Sequence, residues 1–298
     1  MSLPGPAEPD ALRPALADTL AAWAARVRAD RAQVERCREV EDPSDFYAPV
    51  ADRFRFEPRR DGDAVLDALL ALARPDDRWL DIGAGGGRYA LPLALAVREV
   101  VALDPSRAML AVLDAAARGH GIHNVRSLEA RWPLAPGEPA AGGLIADVAL
   151  MAHVGYDIEA IGPFLDAAEA CARRRCVAVV GEGAMTTVAT LFWEPVHGEA
   201  RIALPALPEL LVLLVARGRL PELALAPRAA SVFETLDDLL AMARRQLWVR
   251  PGSDKDARLA SLVEARATQR EEGWALDWSV TRIGVVSWEP GPAAAPSP

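Results

Sequence analysis

The chain has 298 residues, 51% of them hydrophobic, enough for one large domain or two small ones with a sizeable core. A net charge of −9 disfavours any partner held mainly by phosphate contacts, so nucleic acid is not expected. Three cysteines (Cys37, Cys171 and Cys176) with no C-x-x-C, and only 4 histidines, offer no zinc pattern; reduced cytoplasmic thiols and no metal are expected.

The amino terminus carries Glu8 and Asp10 and lacks the basic segment and apolar core of a signal peptide. The most apolar run, residues 204–216, is too short to span a bilayer and contains Glu209, so no membrane is expected. Residues 1–9 are Pro-rich and read as loose. From 10 to 41, Leu12, Leu16, Leu20, Trp23, Val27 and Val34 recur near helical spacing, which predicts one long or two shorter amphipathic helices. Asp42-Pro43-Ser44 breaks the pattern, and an aromatic segment with Tyr47 and Phe54 follows. These first residues, 1–60, read as an N-terminal helical extension or cap, ahead of a main domain at 61–289. The main domain starts with a helix over 61–73, ended by Pro75-Asp76-Asp77.

Arg78-Trp79-Leu80 begins a buried strand, and Tyr89 to Ala96 begins a helix. Between them runs Asp81-Ile82-Gly83-Ala84-Gly85-Gly86-Gly87-Arg88. A strand that turns through glycines into a helix presents bare N–H groups to the polar part of a nucleotide-like ligand. A dinucleotide fingerprint needs G-x-G-x-x-G, but the third glycine counted from Gly83 and Gly85 falls on Arg88, and counted from Gly85 and Gly87 on Ala90. The string present is D-x-G-x-G-x-G. It resembles the first motif of the class I (Rossmann-like) S-adenosylmethionine-dependent methyltransferases. Three glycines at alternate positions cost backbone entropy that an ordinary turn would avoid.

The next strand, Glu99 to Asp104, ends on a carboxylate able to accept both ribose hydroxyls, unless Asp104 is simply an acid before a helix. Pro105-Ser106 opens that helix, with Ser106 able to cap it. Residues 124–128 form the third strand, followed by Glu129-Ala130-Arg131-Trp132. Residues 145–155 are the fourth strand and its exit, with a buried apolar run from Val148 to Ala152 and His153 at the carboxyl end. His153 sits where open α/β sheets place their chemistry, as a general base, an orienting partner, or a structural histidine bonded to backbone. Asp157 can cap the following helix, 158–173, and Cys176 to Gly183 is the fifth strand. Residues 186–205 read as an irregular lid loop carrying Phe192, Trp193, Glu194 and His197, with a dimer contact or local packing as alternatives for the aromatics. A helix over 208–218, a sixth strand over 223–233, a helical insertion over 235–270 starting at Thr235-x-x-Asp238, a last strand over 278–288 and a disordered tail at 290–298 complete the chain.

This order implies an α/β, doubly wound, seven-stranded, mostly parallel sheet of the class I methyltransferase type, with N-terminal helices and a C-terminal helical insertion. The resemblance further implies S-adenosyl-L-methionine as cofactor, with S-adenosyl-L-homocysteine as product, and direct in-line displacement of the methyl group onto an acceptor. It places Asp81, Gly83, Ala84, Gly85 and Gly87 at the methionine end, and Asp104 with Pro105 at the ribose. Met109, Glu129, Ala130 and Ala152 then fall around the adenine and the exit of the fourth strand, and Tyr47 folds over the cofactor. His153 is the catalytic candidate. The acidic charge and the aromatic, Pro-rich lid favour a small-molecule acceptor over nucleic acid, while protein acceptors also fit. A non-catalytic S-adenosylmethionine-binding or interaction module, and a nicotinamide-dependent oxidoreductase, stand as alternatives; the latter lacks both its third glycine and a Tyr-x-x-x-Lys pair.

Overall fold

The computed structural model describes residues 13–41, 45–135, 144–184, 187–228, 231–276 and 282–291. Along the chain the strands are β1 (Arg78–Ile82), β2 (Glu99–Asp104), β3 (Val125–Glu129), β4 (Ala146–Ala152), β5 (Ala172–Gly181), β6 (Glu222–Pro227), β7 (Val232–Phe233), β8 (Thr268–Arg270), β9 (Gly273–Ala275) and β10 (Arg282–Trp288). Seven of them form one sheet in the order β3-β2-β1-β4-β5-β10-β6. Strands β1 to β5 pair in parallel; β10 runs antiparallel to both β5 and β6. The strand order reverses beside β1, which opens the crevice at the carboxyl ends of β1 and β4.

Both faces of the sheet are covered, so its strands are apolar on alternate residues to either side. On one face lie α2 (Ala64–Leu72), α3 (Ala90–Ala94) and α4 (Arg107–Gly119), where Leu69, Trp79, Val100, Leu113, Val148 and Val177 share a core. On the other lie α1 (Leu16–Cys37), α5 (Ile161–Cys171) and α7 (Leu207–Ala216), where Trp23, Leu80, Val101, Ala149, Phe164 and Leu210 pack together. Within β4, Val148 and Leu150 therefore serve one core while Ala149 and Met151 serve the other. Ser106 caps α4 by accepting from the Met109 N–H (3.2 Å), and Asp63 caps α2 by accepting from the Leu66 N–H (3.1 Å).

A third core is separate from the sheet. It joins α6 (Thr187–His197), α8 (Leu236–Leu247) and α9 (Asp254–Arg266) with the small antiparallel sheet β7-β9-β8 and the end of α1. Phe192, Trp193, Leu239, Leu247, Leu259 and Val263 fill it. Thr235 caps α8 through the Asp238 N–H (3.1 Å), as its spacing predicts. No helix among the described residues is long and apolar enough to cross a membrane.

Several sequence expectations change here. The stretch read as a lid loop over 186–205 contains the helix α6 (Thr187–His197). Pro195 stands near the end of α6, and Gly198 (φ 82°) closes the helix. Phe192 and Trp193 are fully buried in the third core and do not face an acceptor. The strand read over 223–233 divides at Pro227: β6 stays in the main sheet, and Val232–Phe233 joins the small one. The 235–270 region is thus not helical alone. Of the one long or two shorter helices expected over 10–41, one forms, Leu16–Cys37, and it packs into the sheet's core. The expectations for residues 1–9, for the start of the last strand and for the end of the tail fall outside the described residues.

Candidate active site

The glycine turn leaves β1 at the centre of the sheet. Gly83, Gly85 and Gly87 have φ of 76°, 52° and 86°, a region in which an L side chain is strained. The turn is pinned from β2: the Gly83 and Ala84 N–H groups both donate to the Leu103 carbonyl (2.7 and 3.0 Å). Two neighbours close tightly over it. A Cβ on Gly83 would overlap the Val154 side chain, and one on Gly86 would overlap the Phe54 carbonyl oxygen. The glycines therefore serve the backbone conformation and the close approach of two other segments.

Asp104 ends β2 with both carboxylate oxygens engaged. Oδ2 accepts from the Gly85 N–H and Oδ1 from the Ser106 N–H, each at 2.8 Å. Each oxygen retains a further acceptor site. Burial raises the Asp104 pKa against these two backbone bonds, and the Asp45 carboxylate adds to the rise. Asp81, one turn away, is 2% exposed, and its Oδ1 is buried without a hydrogen bond. Burial, with Asp104 alongside, pushes its pKa up to about 7. Two desolvated carboxylates beside bare backbone form a site that favours a cation next to polyol hydroxyls.

The segment before the main sheet folds onto this site. A 3-10 turn, Ala48–Phe54, lies against α4, where Ala51, Met109 and Val112 form their own small core. Asp45 holds it in place: its Oδ1 accepts from the Tyr47 and Ala48 N–H groups (3.0 and 3.1 Å), and its Oδ2 accepts from the Ser106 hydroxyl (2.7 Å). Tyr47 is 45% exposed and stands edge-on to Phe54, with ring centroids 5.7 Å apart. Its hydroxyl pKa is raised, by desolvation first and then by Asp157 and Asp104. From the outer side α8 reaches the same segment: Arg245 lies 3.9 Å from the Phe46 ring centroid, Trp248 packs on Phe46 (5.5 Å), and Arg53 pairs with Asp238.

Of the remaining sequence candidates, Met109 is buried under the turn, with its Cε near Gly85. Pro105 is exposed; Ala84 is buried beside Gly85. Glu129 is exposed in register with Asp104, and the Ala130 N–H is committed to the Asp104 carbonyl (3.2 Å), which leaves the Glu129 side chain as the polar group there. Ala152 is half-buried at the end of β4. His153 takes the left-handed conformation (φ 58°), held by its N–H to the Val179 carbonyl (2.8 Å), and its Nδ1 is buried without a hydrogen bond. Burial, then Arg88 and Arg228, push its pKa down to about 4, so the imidazole is neutral at neutral pH. Arg88 pairs with Asp63 (3.3 Å).

Sequence reasoning misses Asp45, Phe46, Arg245 and Trp248. Asp45 follows a break and reads as an ordinary turn acid. The others meet only through the packing of α8, which no local pattern announces.

Residues 80–160 match the family model described as a methyltransferase domain. A 23S rRNA (uracil(1939)-C(5))-methyltransferase of Pseudomonas putida is 41% identical over 87 residues, 28% of this chain and 19% of that protein. Its counterpart in Aeromonas hydrophila is 36% identical over 125 residues, 41% of this chain and 24% of that protein. The chain therefore spans less than a quarter of the length of these relatives. Among solved structures, the YcgJ protein of Bacillus subtilis aligns with a TM-score of 0.53 at 15% identity, covering 76% of this chain and 98% of that one. A protein of Bacillus halodurans aligns with a TM-score of 0.53 at 16% identity, covering 76% and 99%. These two likenesses bear on the fold alone. Residues 80–160 thus match a methyltransferase domain, and they lie on a strand order and glycine turn of the class I, Rossmann-like fold.

Proposed function

We propose that the protein is an S-adenosylmethionine-dependent methyltransferase acting on a small molecule. The observation that carries the cofactor reading is the buried, hydrogen-bond-free Oδ1 of Asp81 beside the glycine turn. A carboxylate oxygen in that state suits a ligand ammonium. Asp104 would take the ribose hydroxyls with the acceptor sites its backbone bonds leave over. Glu129 would meet the adenine edge, Met109 would lie beneath the base, and Tyr47 would cover the cofactor from the solvent side. Gly83, Gly85 and Gly87 would let the backbone approach. S-adenosylmethionine, when bound, supplies a methyl group already activated by its sulfonium. The protein's task is then alignment and exclusion of water. His153, neutral and at the exit of β4, would accept a hydrogen bond from the acceptor and orient it, and would take its proton where one must be lost.

The rRNA relatives raise RNA as an acceptor, but three observations favour a small molecule. The likeness extends over less than half of this chain and covers a minor part of those proteins. Net charge is −9, against the basic face that RNA contacts demand. Methylation at C5 of a uracil also calls for a nucleophile that adds to the neighbouring carbon. Cys176 is fully buried within β5 with its thiol pushed far up by desolvation, Cys171 ends α5 away from the crevice, and Cys37 donates to Glu199 in the third core.

Calorimetric titration with S-adenosylhomocysteine tests the cofactor reading. Saturable binding is expected, with Asp104→Ala weakening it roughly tenfold or more, equivalent to about 1.4 kcal/mol. Absence of heat at millimolar ligand overturns the reading.

A further inference from the structure

Strand β6 closes one end of the main sheet and, among the described residues, is hydrogen-bonded to β10 alone. Its sequence, Glu222-Leu223-Ala224-Leu225-Ala226-Pro227, divides by alternation. Ala226 joins the core on the α2 side with Ile283 and Val285. Leu223 and Leu225 stand on the other face. They are in register with Val286 and Gly284, and a Cβ on Gly284 would meet both Leu207 of α7 and Leu223. The helix beside them, Leu-Pro-Glu-Leu-Leu-Val-Leu-Leu-Val-Ala, has one charged residue, Glu209, which pairs with Arg26 of α1. Leu207, Leu210 and Leu214 of α7 serve the sheet's core, while Val212 and Val215 face outward. A helix that is apolar on every side belongs in an interior.

Leu220, in the link from α7 to β6, is 90% exposed, and Val212, Val215, Leu223 and Leu225 are between 38% and 53% exposed. Exposed sheet edges are ordinarily guarded by charged side chains. Here the cations of the link turn inward: Arg217 and Arg219 both pair with Glu169 (3.6 and 2.6 Å). Glu222 pairs with Arg175 (3.0 Å), and residues 223–226 carry no charge. The five aliphatic side chains present on the order of 400 Å² of apolar surface, about half of the roughly 800 Å² that each partner gives to a stable dimer. The open backbone edge of β6 and the flank of α7 make up the rest. A neutral strip on a chain of net charge −9 offers a charged partner nothing to hold, whereas it complements a copy of itself. Antiparallel pairing of one strand with its own copy about a two-fold axis is an isologous contact and closes at two chains.

We propose that this edge is a homodimer interface, in which β6 pairs antiparallel with β6 of a second copy and the outward face of α7 packs beside the joint, so that one sheet runs through both protomers. The glycine turn follows β1, separated from this edge by β4, β5 and β10, so both crevices stay open. The dimer therefore stands independently of the methyltransferase reading.

Sedimentation velocity of the full chain over a range of concentrations tests it. A species of two 31.9 kDa chains is expected. Leu225→Lys, on the strand, and Val212→Glu, on the helix, should each weaken the association roughly tenfold or more. Both positions are exposed, so the far-ultraviolet circular dichroism spectrum should not change in either variant. A wild-type chain that stays monomeric up to about 100 µM overturns the proposal. Assembly beyond two copies overturns it as well, because an isologous contact closes. A dimer that either variant leaves intact is built on another surface, and the joint of β6 and α7 is then wrong.

Discussion

Asp81 shows how one buried residue can make a binding site sensitive to pH. Its carboxyl is desolvated and lies beside Asp104, which together raise its pKa from 3.8 to about 7. A ligand ammonium favours the ionised form, so binding below that pH must release a proton. Affinity for S-adenosylhomocysteine is therefore expected to rise as pH goes from 6 to 7 and to level off above, by up to about tenfold per unit on the rising limb. Asp81→Asn should bind more weakly and remove the dependence; calorimetry at three pH values in buffers of different ionisation enthalpy reads both affinity and proton release. The same shift acts on the fold with a fixed sign. The folded state holds this proton more tightly than the unfolded chain, so the group's stabilising contribution is full below pH 3.8 and fades as pH rises towards about 7. His153 behaves oppositely to a typical surface histidine: with its pKa near 4 it stays neutral where Asp81 titrates, so the two effects are separable.

At the scale of elements, the glycine turn is a meeting place of three segments. Its own string is legible because the conformation demands glycine at alternate positions, and the place of Asp104 because the apolar run of the second strand stops there. What could not be read was the reason for Gly86, whose φ is unexceptional: the Phe54 carbonyl sits where its Cβ would be. Gly86→Ala should therefore push the Ala48–Phe54 turn off the site without strain in the turn itself. The expected result is a loss of S-adenosylhomocysteine affinity of roughly tenfold, near 1.4 kcal/mol, together with faster tryptic cleavage at Arg53 and Arg55. Unchanged cleavage and affinity would show that the segment does not cover the cofactor. Other misreadings have the same origin. The 186–205 stretch reads as a lid loop until the core that buries Phe192 and Trp193 is known, and the split of the sixth strand at Pro227 depends on which sheet each half can reach. Arg88, which opposes the helix dipole on paper, finds Asp63 across a fold contact that sequence spacing does not encode.

For the molecule as a whole, α1 decides whether sheet and insertion behave as one body. Its first half gives Trp23 and Val27 to the sheet's core, and its end gives Val34 and Cys37 to the third core. Between them, Gln33 is nearly fully buried and saturated: its Nε2 donates to the Ala200 carbonyl (2.7 Å), and its Oε1 accepts from the Ile202 N–H (2.8 Å) and Arg201 (2.9 Å). Asp30 pairs with Arg201, which also stacks 4.2 Å from the Trp193 ring centroid. The helix therefore latches the link between α6 and α7 while bridging two apolar cores. A bridge of this kind predicts one cooperative transition for the whole chain. Trp23→Ala removes a 6%-exposed ring and the Nε1 bond to the Ile158 carbonyl (3.0 Å), and should lower stability by about 3–5 kcal/mol. Because the two cores share the helix, urea denaturation of this variant should still show a single transition by both tryptophan fluorescence and far-ultraviolet circular dichroism, shifted to lower urea. If the two probes separate, with the insertion keeping its wild-type midpoint, α1 belongs to the sheet alone and the cover over the cofactor is free to move independently of it.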